Sequence, residues 1–314
     1  MRQPGGGAPT SPPGGGAPKP GGPTEPGRAV PLRPRTTGAI AVASAIGVLG
    51  LCWPLFIRAG SPLAGGTSAS WLFAVLVPLV LAVVLAEISE RGFDARAIAM
   101  LGVLAAVGAA LRPLGAGAAG IEPVFLLLLP AGRVLGRGFG FVLGAVTLLT
   151  SALLTGGVGP WLPFQMLGAA WIGLGAGCLP SARRRAEVLL LAAYGLVAGL
   201  AFGAVMNLTL WPYLTGPAAT TGGFGFAPGA PLPDNLMAFV RFSVLTSLGW
   251  DLVRGVTLAV LTLLSGRAVL VALRRAARRG VFAGPPGTPE QAGQPVTAAP
   301  ATGPVTVTAA RHTP

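Results

Sequence analysis

The stretch IEPVFLLLLPAGRVLGRGFGFVLGAVTLLTSALLTGGVGPWLPFQMLGAAWIGLGAG, Ile121–Gly177, decides the fold. It reads as three closely packed apolar helices. A turn of Gly136, Arg137 and Gly138 joins the first two, and a Gly/Pro elbow from Gly156 to Pro160 separates the second from the third. Glycine and proline punctuate the apolar runs where a soluble domain would carry charged turns. In lipid, helices associate by close backbone approach, so small residues take the place of large core side chains.

The same character extends outward over the whole chain. It has 314 residues, of which 52% are hydrophobic and only 10% charged, with 49 Gly and a mean hydropathy of +0.71. A soluble domain needs far more charged surface than this, so the class is an all-α polytopic membrane protein embedded in a lipid bilayer. The formal charge of +13 would suggest nucleic acid in a soluble protein. Here nearly all of it is arginine lying between apolar segments, where it encodes topology, and no nucleic-acid partner is implied. Cys52 and Cys178 fall in apolar segments and indicate neither a disulfide framework nor a metal site.

Residues 1–36 are rich in Pro and Gly and cannot bury enough apolar area to fold, which predicts a disordered cytoplasmic tail. The first apolar run, from about Gly38, is too long for the core of a signal peptide and lacks a cleavage site after it. The tail from 280 to 314 is again Pro/Thr/Ala-rich and reads as disordered; it contains the single histidine, His312.

Eight apolar segments lie between: Gly38–Ile57, Ser70–Ile88, Arg96–Leu111, Ile121–Leu135, Gly138–Leu154, Trp161–Cys178, Ala186–Trp211 and Ala238–Leu264. Segments three, four and five are short for a membrane crossing of roughly 20 residues and read alternatively as re-entrant. Arginine placement favours crossing. With a cytoplasmic N-terminus and eight crossings, the inside connections and tails hold Arg28, Arg33, Arg35, Arg91, Arg96, Arg133, Arg137, Arg183, Arg184, Arg185, Arg267, Arg274, Arg275, Arg278 and Arg279. The outside connections hold Arg58 and Arg112. The expected topology is therefore eight spans, both termini cytoplasmic, in the plasma membrane.

Polar residues then fall at definite depths. Arg112 ends segment three and Glu122 begins segment four on the outside. Gln165, Asn207 and Arg241 each lie about one turn from an outer end, while Asp251 and Arg254 lie deeper in segment eight, on one helical face. Ionisable groups at such depth are costly unless paired or wetted, which points to an outward-facing pocket; for Asp251 and Arg254, neutralisation within one helix is the alternative. The Gly/Pro-rich connection Pro212–Leu236 has no Lys or Arg and reads as an outer lid. Its stacking candidates are Phe224, Phe226, Trp211 and Tyr213. An interfacial aromatic belt accounts for Trp53, Trp71 and Trp161, and serves as the second reading of Trp211.

Small-residue ladders occur at Gly195, Gly199 and Gly203 in segment seven and at Ala95, Ala99, Ala105 and Ala109 around segment three. Internal packing is their simplest use. Catalytic signatures are largely missing: there is no GxxxxGK[ST] loop, no DxxxD pair, no HExxH and no histidine inside a segment. The expectation is a protein without chemistry of its own, needing no cofactor and no metal.

From about Asp94 to Arg279 the chain resembles the substrate-binding S component of energy-coupling factor (ECF) vitamin transporters of the long actinobacterial type. The resemblance rests on GVLAAVGAALRPLGAG (102–117), EPVFLLLLPAGRVLGRGFGFVLGAV (122–146), SALLTGGVGPWLPFQMLGAAWIGLGAG (151–177) and YGLVAGLAFGAVMN (194–207). It implies a six-helix substrate-binding core over 94–279, preceded by two extra helices over 37–93. It also implies a vitamin-sized pocket near the outer face, for which Arg112, Glu122, Trp161, Gln165, Asn207, Trp211, Arg241, Asp251 and Arg254 are the candidates; a cobalamin-like ligand is one possibility. The implied partners are a membrane coupling subunit and two cytoplasmic P-loop ATPases. The family's AxxxA docking motif maps to Ala95 and Ala99 or to Ala105 and Ala109. Two other classes stay open: a stand-alone secondary transporter using Asp251 as a proton or cation site, and a structural subunit of a lipid-modifying complex.

Overall fold

A computed structural model describes residues 34–61, 69–91, 95–115, 120–214, 219 and 221–282. The expected tails over 1–33 and 283–314, and the Trp71 side chain, lie outside the described residues. Among those described, all regular structure is helical: α1 (Pro34–Phe56), α2 (Ala69–Arg91), α3 (Ala95–Leu111), α4 (Leu128–Leu135), α5 (Arg137–Thr155), α6 (Leu162–Cys178), α7 (Arg185–Leu214), α8 (Leu232–Phe242) and α9 (Leu248–Phe282). Five helical stretches are long and apolar enough to cross a membrane: 37–56, 95–115, 137–155, 185–213 and the joined 232–278. This is the pattern of a multi-pass membrane protein.

The opening stretch forms the centre. Helix α5 is the most buried of the five long stretches, with 67% of its window inside the protein. Its glycines explain how. A Cβ on Gly140 would run into the Gly173 carbonyl of α6, one on Gly173 into the Gly140 carbonyl, and one on Gly144 into the Ala169 backbone. Gly132 of α4 abuts the same Gly173 carbonyl. Three backbones thus meet without intervening side chains, the small-residue packing expected in lipid. Gly136 caps α4 and leads into α5 at φ +98°, a left-handed conformation that favours glycine and makes so short a turn possible.

Segment four departs from its expected length. Its regular α-helix covers only Leu128–Leu135, after a 3-10 turn at Pro123–Phe125. Non-helical backbone at membrane depth is tolerated only where protein covers it. Here Val124, Phe125, Leu128, Leu129, Pro130, Ala131 and Gly132 are all buried.

Segment eight is longer than expected. It is helical from Leu232 to Phe282, with one π turn at Ser243–Ser247 between α8 and α9. The expected lid shrinks accordingly, because Pro212, Tyr213 and Leu214 belong to α7, and Leu232 to Leu236 to α8. At the other end, α1 begins at Pro34, inside the segment 1–36 read as unstructured; proline suits a first helical position because its missing N–H would have no partner there.

Helices α7 and α9 pack along the glycine ladder. Gly195 faces Leu258 of α9 and Leu129 of α4, Gly199 faces Gly255, and Gly203 faces the Asp251 carboxylate. Helix α1 packs on α6: Trp171 Nε1 of α6 donates to Ser44 Oγ of α1 at 2.9 Å, and Gly47 of α1 receives the Leu167 side chain.

At one end of the bundle, Glu187 at the start of α7 is 3% exposed and accepts from Arg133 of α4 at 3.0 Å and Arg274 of α9 at 2.6 Å. Arg133 also donates to the Leu179 carbonyl at 2.7 Å. This basic end also holds Arg137 and Arg183–Arg185. The opposite end carries the polar residues singled out in the sequence.

Candidate functional site

Five elements converge at that opposite end: the end of α3, the loop before α4, the start of α6 and the facing parts of α7 and α9. Arg254 of α9 is the hub, only 8% exposed. Its Nη1 donates to Asp251 Oδ1 at 2.6 Å and its Nη2 to Glu122 Oε1 at 3.0 Å. Asn207 of α7 donates to the other Asp251 oxygen at 2.9 Å. The guanidinium lies 5.6 Å from the centre of the Phe202 ring. Asp251 therefore bonds through both oxygens, and Gly203 leaves the space its carboxylate occupies. The two readings of the Asp251–Arg254 pair merge: the residues bond within one helix, and Arg254 reaches across to Glu122 as well.

Arg112 stands apart from that network, donating through Nη2 to Gln165 Oε1 at 3.2 Å. Between the two arginines lies a cavity of about 230 Å³. Glu122 and Gln165 supply its other polar wall, Val124, Phe125, Leu148, Phe202 and Met206 its apolar walls. Trp250 and Ile121, 52% and 40% exposed, form the rim. Gly120, at φ +90°, packs so tightly on the Trp250 backbone that a side chain would not fit.

Of the candidate residues, Arg112, Glu122, Gln165 and Arg254 line this cavity, and Asn207 and Asp251 stand directly behind it. Trp161, Trp211 and Arg241 are set apart. Trp161 is exposed and bonds to its own elbow through Gly157 O at 3.3 Å. Arg241 is exposed and, among the described residues, reaches the Gly223 carbonyl at 3.4 Å rather than the cavity. The apolar wall residues escaped the sequence reading, since Phe, Met and Leu carry no signal against an apolar background.

Comparison with protein-family models, with curated proteins and with solved structures gave no match.

Trp211, fully buried, belongs to a second constellation. Its ring lies 5.4 Å from Phe226 and 5.5 Å from Phe239, and its Nε1 donates to the Phe224 carbonyl at 2.9 Å. Trp53 of α1 joins through Phe226 at 6.1 Å and Tyr213 at 6.4 Å. The connection before α8 is thus anchored to α1 rather than to the cavity. Asn235, 2% exposed, holds it further by accepting from the Ala227 N–H and donating to the Ala227 carbonyl, at 3.3 and 2.9 Å. Asn235→Ala leaves both backbone groups without that partner. It is expected to cost about 1–3 kcal/mol and to speed amide exchange over residues 223–231, read by mass spectrometry, with little change over α5 and α6.

The four alanines proposed for docking divide cleanly. Ala105 and Ala109 are 2% and 1% exposed, on the face of α3 whose Gly108 meets Thr147 of α5. Ala95 and Ala99 are exposed.

Proposed function

We propose that the chain is the substrate-binding subunit of an ECF-type importer for a small micronutrient, energised by a membrane coupling subunit and two P-loop ATPases and performing no reaction itself. The observation that carries this reading is the cavity: a membrane-type helical bundle that commits two arginines, a glutamate and a glutamine to the walls of one small space. Intramembrane charge of this kind is costly and is retained for ligands or ions.

In this reading the chain crosses eight times. Segment four, despite its short helix, runs from Glu122 beside Arg254 to Arg133, which shares Glu187 with Arg274. Residues 254 and 274 of α9 are about 30 Å apart at 1.5 Å rise per residue, the thickness of a hydrocarbon core. The arginine-rich end is then cytoplasmic and the cavity faces outward. Because both Asp251 oxygens are bonded, the site favours a ligand over a free proton-binding carboxylate. The volume lies below the ~300–1,000 Å³ of common ligand pockets, so a small vitamin suits it and a corrinoid does not. Docking falls to the Ala95 and Ala99 pair, since Ala105 and Ala109 are covered.

Affinity purification of the full chain from native membranes tests this. Two P-loop ATPases and a membrane coupling subunit are expected to come with it, and Ala99→Leu is expected to release them without lowering the unfolding midpoint. A chain that drives uptake alone under an ion gradient, with no ATPase attached, overturns the reading.

A further inference from the structure

We infer that the ligand carries a single carboxylate on a short apolar or aromatic body, and that Arg112 is the cation that receives it. The inference rests on reading the cavity as a substrate site and names the class of that substrate.

Two buried side-chain atoms at the cavity have no hydrogen-bond partner among the described residues, Arg112 Nη1 and Arg254 Nε. Both are donors, so the missing group is an acceptor. Arg254 is nine-tenths buried and its charge is already met by Asp251 and Glu122. Arg112 is hydrogen-bonded to the neutral Gln165. It is therefore the one of the two guanidiniums that donates to no carboxylate among the described residues; Glu122 acts on it only through space. A ligand carboxylate gives Arg112 Nη1 a charge-assisted acceptor and, through its second oxygen, one for Arg254 Nε. A neutral carbonyl offers a single oxygen to two donors on different side chains, and its bonds lack the strength of charge-assisted ones. With two arginines and two carboxylates the cluster is neutral before a ligand enters, so a phosphate dianion would leave two net negative charges at this depth where a carboxylate leaves one.

The remaining walls define the body. Phe125 and Phe202, with ring centres 4.6 Å apart, stand with Val124, Leu148 and Met206 as an apolar lining. About 230 Å³ leaves room for one ring or a short chain beside the carboxylate.

The test uses the full chain in lipid nanodiscs and matched probes: benzoate, nicotinate, 3-phenylpropanoate and hexanoate, their primary amides, and phenyl phosphate. Binding is followed by the unfolding midpoint and by calorimetry. Acids are expected to bind at least about tenfold more tightly than their amides. Arg112→Gln should weaken the acids by about 10- to 100-fold, the worth of one charge-assisted bond, and leave the amides unchanged. Arg112→Lys should keep part of the preference. Gln165→Met, which retains the charge, should weaken the acids while preserving their lead over the amides, so a misfolded Arg112 variant does not decide the matter.

Amides equal to acids, phenyl phosphate stronger than every carboxylate, an undiminished acid preference in Arg112→Gln, or no probe raising the midpoint would each overturn the inference. The importer reading is judged separately by co-purification. A chain that binds acids but never carries ATPases keeps this inference and loses the other, and a chain that carries ATPases but ignores acids does the reverse.

Discussion

Arg254→Met is expected to destabilise the chain by about 3–5 kcal/mol, the range for removing one partner of a buried ion pair. The methionine keeps a long apolar side chain in place, so the loss is electrostatic rather than a large void. What remains is Asp251, 7% exposed, with Asn207 as its hydrogen-bond donor, and Glu122 without the nitrogen at 3.0 Å. The charge left behind, not the bond removed, sets the size of the effect. A second change separates the two. Arg254→Met combined with Asp251→Asn replaces the stranded carboxylate by a neutral amide and is expected to recover more than half of the loss. Glu122, with a side chain one-third exposed, can turn toward solvent and needs less compensation. Thermal unfolding of the detergent-solubilised single and double variants measures the coupling directly. A single variant within about 1 kcal/mol of the parent would mean that the network is wetted rather than buried.

That network shows what the residues disclose in advance and what they do not. Charged side chains inside apolar segments stand out by themselves, so Arg112, Glu122, Asp251 and Arg254 were visible as a set, with Gln165 and Asn207 beside them. The Asp251–Arg254 pairing was legible too, three residues apart on one helical face; the link to Glu122 was not, because Glu122 and Arg254 are far apart in sequence, and only the packing of the loop before α4 against α9 joins them. The same limit hid the Glu187 cluster. Glu187 lies at the start of segment seven, close after three arginines, and nothing in the sequence marks it out, yet it is buried between Arg133 and Arg274.

The division of Trp211 from the cavity was illegible for a related reason. One aromatic residue near a polar cluster suits a ligand wall or a lipid-facing belt equally well, and its burial depended on how Phe224, Phe226 and Phe239 fold back on it. Element lengths slipped where the apolar run gave no break. Leu126 to Leu129 continue without a polar residue while the backbone passes from a 3-10 turn into α4. The π turn at Ser243–Ser247 has no glycine or proline to announce it.

Gly140→Ala provides the sharpest test of the central packing, because helix propensity and packing predict opposite signs. Alanine favours a helix by about 1 kcal/mol over glycine. At Gly102 of α3, where a Cβ would meet nothing within 4 Å, the substitution to Ala is expected to be neutral or to stabilise by up to that amount. At Gly140 the added carbon meets the backbone of Gly173, and also the Gly132 Cα at 2.9 Å. A backbone carbonyl cannot swing aside as a leucine tip can, so α5 must separate from both α4 and α6. Overpacking of a dense core costs about 1–3 kcal/mol, and here two interfaces open together, placing the expected loss at about 3 kcal/mol. Both variants carry one added methyl group on an α-helix, so the comparison removes propensity from the question. Thermal unfolding in detergent with Gly140→Ala above or equal to Gly102→Ala would mean that the three backbones do not meet at Gly173. The cavity would then lose its scaffold, because Glu122 and Gln165 are carried by the segments that this contact holds together.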